Sequence, residues 1–447
     1  MPVARVLVNR LTTRFEVWQH AVVRVAPRRR NPGVRAESEA AVNQSESPAG
    51  TLLEHDPSDT FLLIDRVETL VVGAGIRNWV FVRVTAASGL VGWGEATTER
   101  LTRAVVGAVD DLRPLVVGKD ARRIADLWQA MTRQSYWVGG IVVVSALSAI
   151  DQAVHDLVAQ ARGVPLHDLL GGRVRDRIRC YDHLGGGSPD AVYGAISAQR
   201  FAESAAASCA NGFDAVKILA VPVSDGLPSS SALRATDRVM AAVREAVGAD
   251  VEIMIDLHGR CTPAAAVAFA EVLAPYRPWF IEEPCAPRFV DGFRYIAERV
   301  TVPLATGERL TSAAEFDELL RTGAVTVVQP DICHAGGYTG LTRIAHLAEV
   351  RGVSVAPHNP LGPIATAHNL HFAAATPNWL IQEQMRSAVP WFQEVLTDEL
   401  VIRDGQASVP SGPGLGIAID VQEALRHPPS DEGHHDARLP DGAVADW

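Results

Sequence analysis

At 447 residues, with 47% hydrophobic and 21% charged side chains, the chain is long enough for two or three domains and apolar enough for a large core. Acidic residues outnumber basic ones 52 to 41, a net charge of −11, which argues against nucleic acid as a partner because phosphate binding needs a basic face. The cysteines (Cys180, Cys209, Cys261, Cys285 and Cys333) are an odd, scattered set without a Cys-x-x-Cys pair, so neither a disulfide framework nor a zinc site is expected and the thiols read as reduced.

The N-terminus lacks a basic start followed by an apolar stretch of the secretory type. The longest apolar run, around Ile141 to Ile150, is too short and too broken by serine to span a membrane. A cytoplasmic protein with no membrane partner is therefore expected. Residues 1–60 read as a disordered extension: Arg24, Arg28, Arg29 and Arg30 form a basic patch, and Glu37 to Thr60 is rich in Ser, Glu, Pro, Ala and Asn. Such a segment buries too little apolar surface to offset its ordering entropy.

From Phe61 the pattern changes. Strands are expected from Phe61 to about Val72, from Trp79 onward, and over Gly89 to Glu95, with a loop at Val72–Asn78. Helical periodicity follows over about 98–115, 122–133 and 143–161. Antiparallel strands followed by helices make 61–175 an α+β domain, with Leu169-Leu-Gly-Gly at its end.

Strand–helix alternation then runs through 176–390, with strands ending near Asp182, Lys217, Asp256, Glu282, Glu308, Asp331, His358 and Glu383. From Asp256 on, these polar residues recur roughly 25 residues apart, the length of a strand, a crossover helix and two short loops. One polar residue per unit at the strand's C-terminal end is the signature of a (β/α) barrel's active-site rim. The segment 391–427, with Leu400-Val-Ile-Arg and Pro410-Ser-Gly-Pro-Gly-Leu-Gly-Ile, is expected to pack back on the first domain. Residues 428–447 read as a disordered tail, in which His434 and His435 are solvated.

Three carboxylates on successive strand ends, Asp256, Glu282 and Glu308, form a hard-oxygen cluster whose charge a divalent cation neutralises. All-oxygen ligation with room for water and substrate suits Mg²⁺. A lone carboxylate at a strand end is as often a helix cap; three in register are not. Glu283 points away from its neighbour Glu282. Asp331 and His358 lie on the next two strand ends, where the carboxylate fixes the imidazole tautomer and raises the basicity of the other nitrogen, which makes a general base. His258, two residues after Asp256, is a second titratable group facing the cavity and a candidate general acid. Lys217 is placed to bind a substrate carboxylate, although a structural ion pair is the plainer alternative. Glu383 would face the metal across the cavity. His334 reads as a cap or packing residue, and Arg260 as either structural or substrate-reaching. No P-loop, dinucleotide fingerprint or Gly-x-Ser-x-Gly elbow occurs in a suitable context.

The order Lys217, Asp256, Glu282, Glu308, Asp331, His358, Glu383, behind a domain carrying Gly92-Trp-Gly-Glu95, resembles the mandelate racemase group of the enolase superfamily. Within it, Asp256-Leu-His-Gly-Arg, Phe280-Ile-Glu-Glu-Pro, Gly307-Glu-Arg-Leu, Val328-Gln-Pro-Asp, His334-Ala-Gly-Gly, Ala356-Pro-His-Asn-Pro and Ile381-Gln-Glu-Gln are most similar to the D-galactonate dehydratase branch and related sugar-acid dehydratases. The resemblance covers roughly residues 61–425. It implies an α/β fold: a (β/α)7β modified TIM barrel with an N-terminal α+β capping domain completed by the C-terminal segment. It implies one Mg²⁺ per subunit on Asp256, Glu282 and Glu308, and abstraction of the proton α to a carboxylate to give a stabilised enediolate. A small-molecule sugar acid is the implied partner, and, by analogy, a homo-oligomer the implied assembly.

Two departures bear on the reaction. Racemases of the group carry Lys-x-Lys on the second barrel strand, and here the second lysine's slot is Leu219. Elimination of a β-hydroxyl, which needs one base and one acid, is favoured over racemisation. The branch's Asn in that slot and its Arg-Gly-Gly in the capping domain are replaced by Leu219 and by Val138-Gly139-Gly140, so the particular sugar acid is left open. The resulting expectation is a dehydratase of an aldonic acid, with loops 72–78 and 135–140 closing over the sugar. An epimerase or racemase on the same fold and a catalytically inactive binding barrel are the rivals, while a metallo-hydrolase lacks the His-rich metal set it would need.

Overall fold

A computed structural model describes residues 60–447 apart from 135, 138, 185–196, 223–225, 386–388, 434, 435, 437, 440, 446 and 447. The N-terminal extension with its basic patch, His434 and His435, and two residues of the 135–140 loop lie outside the described residues.

The first layer is an antiparallel sheet in the order β1–β2–β3, built from β1 (Ile64–Ala74), β2 (Arg77–Ala86) and β3 (Val91–Glu95). The loop expected at Val72–Asn78 is mostly strand. From the Arg66–Thr85 pair the β1–β2 ladder runs unbroken to the Ala74–Arg77 pair, leaving Gly75-Ile76 as a two-residue turn. Gly75, at φ 74°, supplies the left-handed backbone such a turn requires. Gly73 serves a different end: a Cβ there would stand 2.4 Å from the Pro428 carbonyl oxygen, so its smallness lets the C-terminal segment cross the strand.

Helices α1 (Thr102–Val116), α2 (Ile124–Arg133), α3 (Ile141–Arg162) and α4 (Leu166–Leu169) follow. By length and composition α3, with a mean hydropathy of 1.5, could cross a membrane. Here it is the buried helix between sheet and barrel. On one side Gly92 and Gly94 let β3 lie directly on its backbone, since a Cβ at either would meet the carbonyls of Ala153 or Ala149 at about 2 Å. On the other side Ser145, Ser148, Asp151 and Gln152 face the second domain, at the three-to-four-residue spacing that puts them on one helical stripe. Ser148 Oγ accepts from Gly336 N at 2.9 Å, and Asp151 accepts from Thr339 N at 3.1 Å.

The second domain is a closed barrel of parallel strands: β4 (Arg177–His183), β5 (Ala215–Ile218), β6 (Glu252–Asp256), β7 (Ile281–Glu282), β8 (Leu304–Thr306), β9 (Val327–Val328), β10 (Ser354–Val355) and β11 (Gln382–Gln384). They pair in chain order, β11 pairs back on β4, and a bridge between Val355 and Trp379 closes the ring. One helix fills each interval: α5 (Ala198–Ala210), α6 (Ser230–Val247), α7 (Pro263–Leu273), α8 (Val290–Ala297), α9 (Ala313–Arg321), α10 (Gly337–Glu349) and α11 (Pro363–Ala375). The architecture is the (β/α)7β barrel that the sequence implied. Ser197, Ser229, Thr262 and Ser312 each cap a helix by accepting from the amide three residues on, so four helix starts are written in the local sequence.

The barrel is filled, not hollow. Tyr181, Ala215, Met254, Phe280, Ala305, Val327, Ala356 and Ile381, one from each strand or its immediate flank, form a buried cluster of their own, and large side chains share this space with alanines.

The C-terminal segment departs from expectation in two places. Leu400 to Arg403 leads into a hairpin, β12 (Ile402–Arg403) and β13 (Gln406–Ser408), that pairs with the barrel instead of the capping domain. The physical reason is an open edge: β11 covers Cys180–Asp182 of β4, and β13 covers the remaining Arg177–Arg179. The rest of 391–427 does reach the cap, with Trp391 Nε1 donating to Gly73 O at 2.9 Å and Leu415 N to Asp156 Oδ1 at 2.8 Å. The start of the expected disordered tail is also tied down. Ser430 N donates to Asn78 Oδ1 at 2.8 Å, and Glu432 accepts from Asn78 N and Thr102 Oγ1 at 3.1 and 2.7 Å. Composition misleads here because these polar groups find specific partners across the chain.

Candidate active site

Side chains alternate along a strand, so the residue two beyond each buried plug residue also points into the barrel, one layer nearer the mouth. Beyond Ala215 this is Lys217; beyond Met254, Asp256; beyond Phe280, Glu282; beyond Ala356, His358; and beyond Ile381, Glu383. Glu308 and Asp331 sit slightly further on, in the loops after β8 and β9. Lys217, Asp256, His258, Glu308 and His358 line one mouth, and Glu282, Asp331 and Glu383 lie in contact with them beneath it.

The carboxylates of Asp256, Glu282 and Glu308 offer oxygens that all lie within 4.8 Å of one another. Burial pushes the Glu282 carboxyl up to about 7 and Glu308 well above the ordinary range. Asp256 goes the other way: although burial opposes it, His258 and Lys217 hold it ionised. Glu282 Oε2 is buried without a hydrogen-bond partner. Crowded acidic oxygens with an unsatisfied lone pair fit a hard divalent cation better than they fit one another. Behind them stands Lys217, fully buried, 2.7 Å from Glu282 Oε1 and 2.8 Å from Glu383 Oε1. Burial works against its charge, but these carboxylates keep it protonated.

His358 Nδ1 lies 2.7 Å from Asp331 Oδ2. That contact places the proton on Nδ1 and leaves Nε2, 3.8 Å from Glu308 Oε2, as the proton-accepting nitrogen. Burial alone would weaken the His358 base, yet the charges of Glu308, Asp331 and Glu383 outweigh it and raise its pKa to about 10. His258 sits at φ 50°, its backbone held by a 2.7 Å bond from its own N–H to Asp256 Oδ1. Its Nδ1 is 3.0 Å from Arg260 Nη2, which can only donate, so in the neutral ring the proton resides on Nε2, 3.1 Å from Asp256 Oδ2. Nε2 is therefore the ring nitrogen that carries a proton at the site.

Glu283 turns away from the cluster, as the alternation implied. It accepts from Arg309 Nε at 2.7 Å and from Thr306 Oγ1. Glu383 is sunk below the mouth, accepting from Asn359 N at 2.7 Å besides facing Lys217. These neighbours hold it ionised against the effect of burial.

Two histidines were not among the sequence-based candidates. Asp182, taken as the end of the first strand, faces outward to Ser208 Oγ, and the next residue, His183, lines the cavity. The plug residue Tyr181 was the available signal, because His183 is its i+2 neighbour. His334 also lines the cavity, with Nδ1 2.8 Å from Ser145 Oγ and Nε2 3.8 Å from Asp331 Oδ2. Its packing role is real, and it packs at the site.

These groups surround one cavity of about 650 Å³, which a subset of them lines. Its floor carries His183, Lys217, Asp256, His258, Glu308 and His358, and its roof comes from the capping domain through Ile76, Arg77, Thr98, Glu99, Leu101 and Ile141. Arg77 Nη1 joins the two, bonding Glu99 Oε1 at 2.5 Å and Pro360 O at 2.9 Å, two residues past His358.

Comparison with known proteins identifies the family. Residues 67–171 match the mandelate racemase/muconate lactonizing enzyme N-terminal domain, and residues 200–424 the enolase C-terminal domain-like model. Curated relatives include the D-galactonate dehydratases of Xanthomonas oryzae and Klebsiella pneumoniae. Both are 38% identical, over 379 and 380 residues, covering 83% of this chain and 97% of each relative. Among solved structures, an enolase from Agrobacterium radiobacter bound to sodium and L-malate is 33% identical with a TM-score of 0.78, covering 86% of this chain and 99% of that one. The chain belongs to the mandelate racemase/muconate lactonizing enzyme family of the enolase superfamily, on its D-galactonate dehydratase-like branch.

Proposed function

We propose that the protein is a hydro-lyase that dehydrates an aldonic acid of the galactonate type to its 2-keto-3-deoxy acid, with one Mg²⁺ per subunit held by Asp256, Glu282 and Glu308. When bound, Mg²⁺ supplies the positive charge that neutralises these carboxylates, relieves the pull of Glu308 on the His358 proton and holds the substrate carboxylate. The protein's own groups do the rest. Lys217 binds and orients the carboxylate, and His358 Nε2 removes the proton from the α-carbon. The electron pair left on that carbon is delocalised into the carboxylate as an enediolate, with Glu383 and its neighbours at the adjacent edge of the site. Its collapse expels the β-hydroxyl, which takes the Nε2 proton of His258 and leaves as water, and the resulting enol becomes the ketone. The capping roof excludes bulk water, which strengthens each of these electrostatic contacts.

The observation that carries this reading is the placement of a proton-accepting His358–Asp331 pair and a proton-bearing His258 on one cavity, beside three convergent carboxylates. The test is a panel of aldonic and aldaric acids incubated with the Mg²⁺-loaded protein and assayed for 2-keto-3-deoxy product. A parallel incubation in D₂O discriminates the alternative chemistry. Deuterium-exchanged, stereochemically scrambled acid with no keto product would overturn dehydration in favour of epimerisation.

A further inference from the structure

His183 is 8% exposed and lines the cavity, yet its Nε2 has no hydrogen-bond partner among the described residues. Its Nδ1 is 3.1 Å from Glu383 Oε1, a contact that occupies this nitrogen and leaves Nε2 as the unsatisfied atom. Leaving a buried imidazole this poorly satisfied is costly, and such a group in a cavity wall points to a ligand that completes it. Burial and the Lys217 ammonium hold the ring below the usual imidazole range, and the facing Glu383 carboxylate favours the proton on Nδ1. Nε2 is then an acceptor. The β4–β5 register sets His183 directly beside Lys217, the residue assigned to the substrate carboxylate. The hydroxyl nearest a bound carboxylate is the one on its α-carbon.

We infer that His183 is a substrate-binding residue whose Nε2 accepts a hydrogen bond from the α-hydroxyl of the sugar acid. The inference rests on the proposed function for the orientation of the acid. It makes the site selective for 2-hydroxy acids and fixes rotation about the C1–C2 bond, which presents the α-hydrogen to His358.

The test measures binding in a His358→Asn background, which holds turnover off. The Mg²⁺-loaded full chain is titrated calorimetrically with D-galactonate and with its 2-deoxy analogue. The chain with His183 intact is expected to favour galactonate by about ten- to hundredfold. With His183→Phe the two acids bind alike, and His183→Gln, which keeps an acceptor, recovers part of the preference. Melting temperature and Mg²⁺ affinity should be unmoved by either substitution. The inference fails if His183-intact protein does not discriminate, if His183→Phe weakens both acids equally, or if Mg²⁺ affinity falls with it. Dehydration is tested separately: a preference that depends on His183, with no keto product from any acid in the panel, sinks the reaction and leaves the His183 contact standing.

Discussion

Lys217 balances the charge of the buried carboxylates around it, and in the proposed reaction the same side chain binds the substrate carboxylate. Its ammonium faces three carboxylates, Glu282 at 2.7 Å, Glu383 at 2.8 Å and Asp256 at 3.9 Å. Replacing it with methionine strands buried negative charge, a loss of about 3–5 kcal/mol when one partner of a buried ion pair is removed. Lys217→Met should therefore melt well below the parent in EDTA and recover much of the difference in Mg²⁺. Equal deficits with and without the metal would argue against the shared site. His358→Asn is expected to cut turnover by about 10²–10⁴ while galactonate binding, measured by calorimetry, changes little; surviving turnover would remove His358 as the base. The positions from Asp256 to Glu383 were legible in the sequence because each ends an apolar run at a nearly constant interval, and Lys217 because it ends the preceding strand. His183 was not, because its outward neighbour Asp182 is the more conspicuous polar residue and only the register of β4 against the plug layer tells the two apart.

At the scale of elements, α11 holds the seam between cap and barrel. Its N-terminal amides, Gly362 N and Ala365 N, donate to Glu95 at 2.7 and 2.9 Å. His368 Nε2 lies 2.9 Å from Trp93 O, and His371 Nε2 lies 3.0 Å from Leu415 O. Burial pulls both imidazoles down to about 3 and pushes the Glu95 and Asp156 carboxyls up to about 7 and about 6. The signs oppose. Each histidine contributes stability that is present above its unfolded value near 6.5 and is lost as pH falls toward 3. Each carboxyl contributes stability that is present below its unfolded value near 4 and is lost as pH rises through 6–7. The four offset one another between about pH 6 and 5. His371→Asn unmasks the balance: its stability, from urea unfolding, should gain about 1.4 kcal/mol per pH unit on acidification relative to the parent. Identical slopes in the two proteins would mean that His371 is not buried neutral. The seam was invisible in the sequence, because Glu95, His368 and His371 are polar residues inside apolar or small-residue runs and their partners lie 44–275 positions away.

At the scale of the molecule, the roof of the site depends on the end of the chain. Arg77 and Ile76 reach the cavity from the tip of the β1–β2 hairpin, and residues 430–432 hold the base of that tip through Asn78 and Thr102. Truncation after His427 removes several hydrogen bonds of about 1 kcal/mol each. It should lower the melting temperature by a few degrees and raise KM severalfold, with kcat changed less, because closure is weakened and the chemical groups are untouched. A truncated protein with unchanged KM would show that the hairpin tip holds its place unaided. Composition alone marked this segment as disordered, which is the expected failure when polar side chains are satisfied by residues distant in the chain.

Local sequence was sufficient for the barrel, for four of its helix starts and for the residues at its mouth other than His183 and His334. Period-two and period-3.6 patterning, capping serines and turn glycines are short-range signals, and the strand ends of a parallel barrel converge whatever the detail. The tertiary structure decided what those residues are to one another. Only closure of the ring brings Lys217 against Glu383, and only the packing of cap on barrel ties Arg77 to Pro360 beside the cavity. Those contacts join residues far apart in the chain, and the charge states they impose arise from burial, a property of the folded whole.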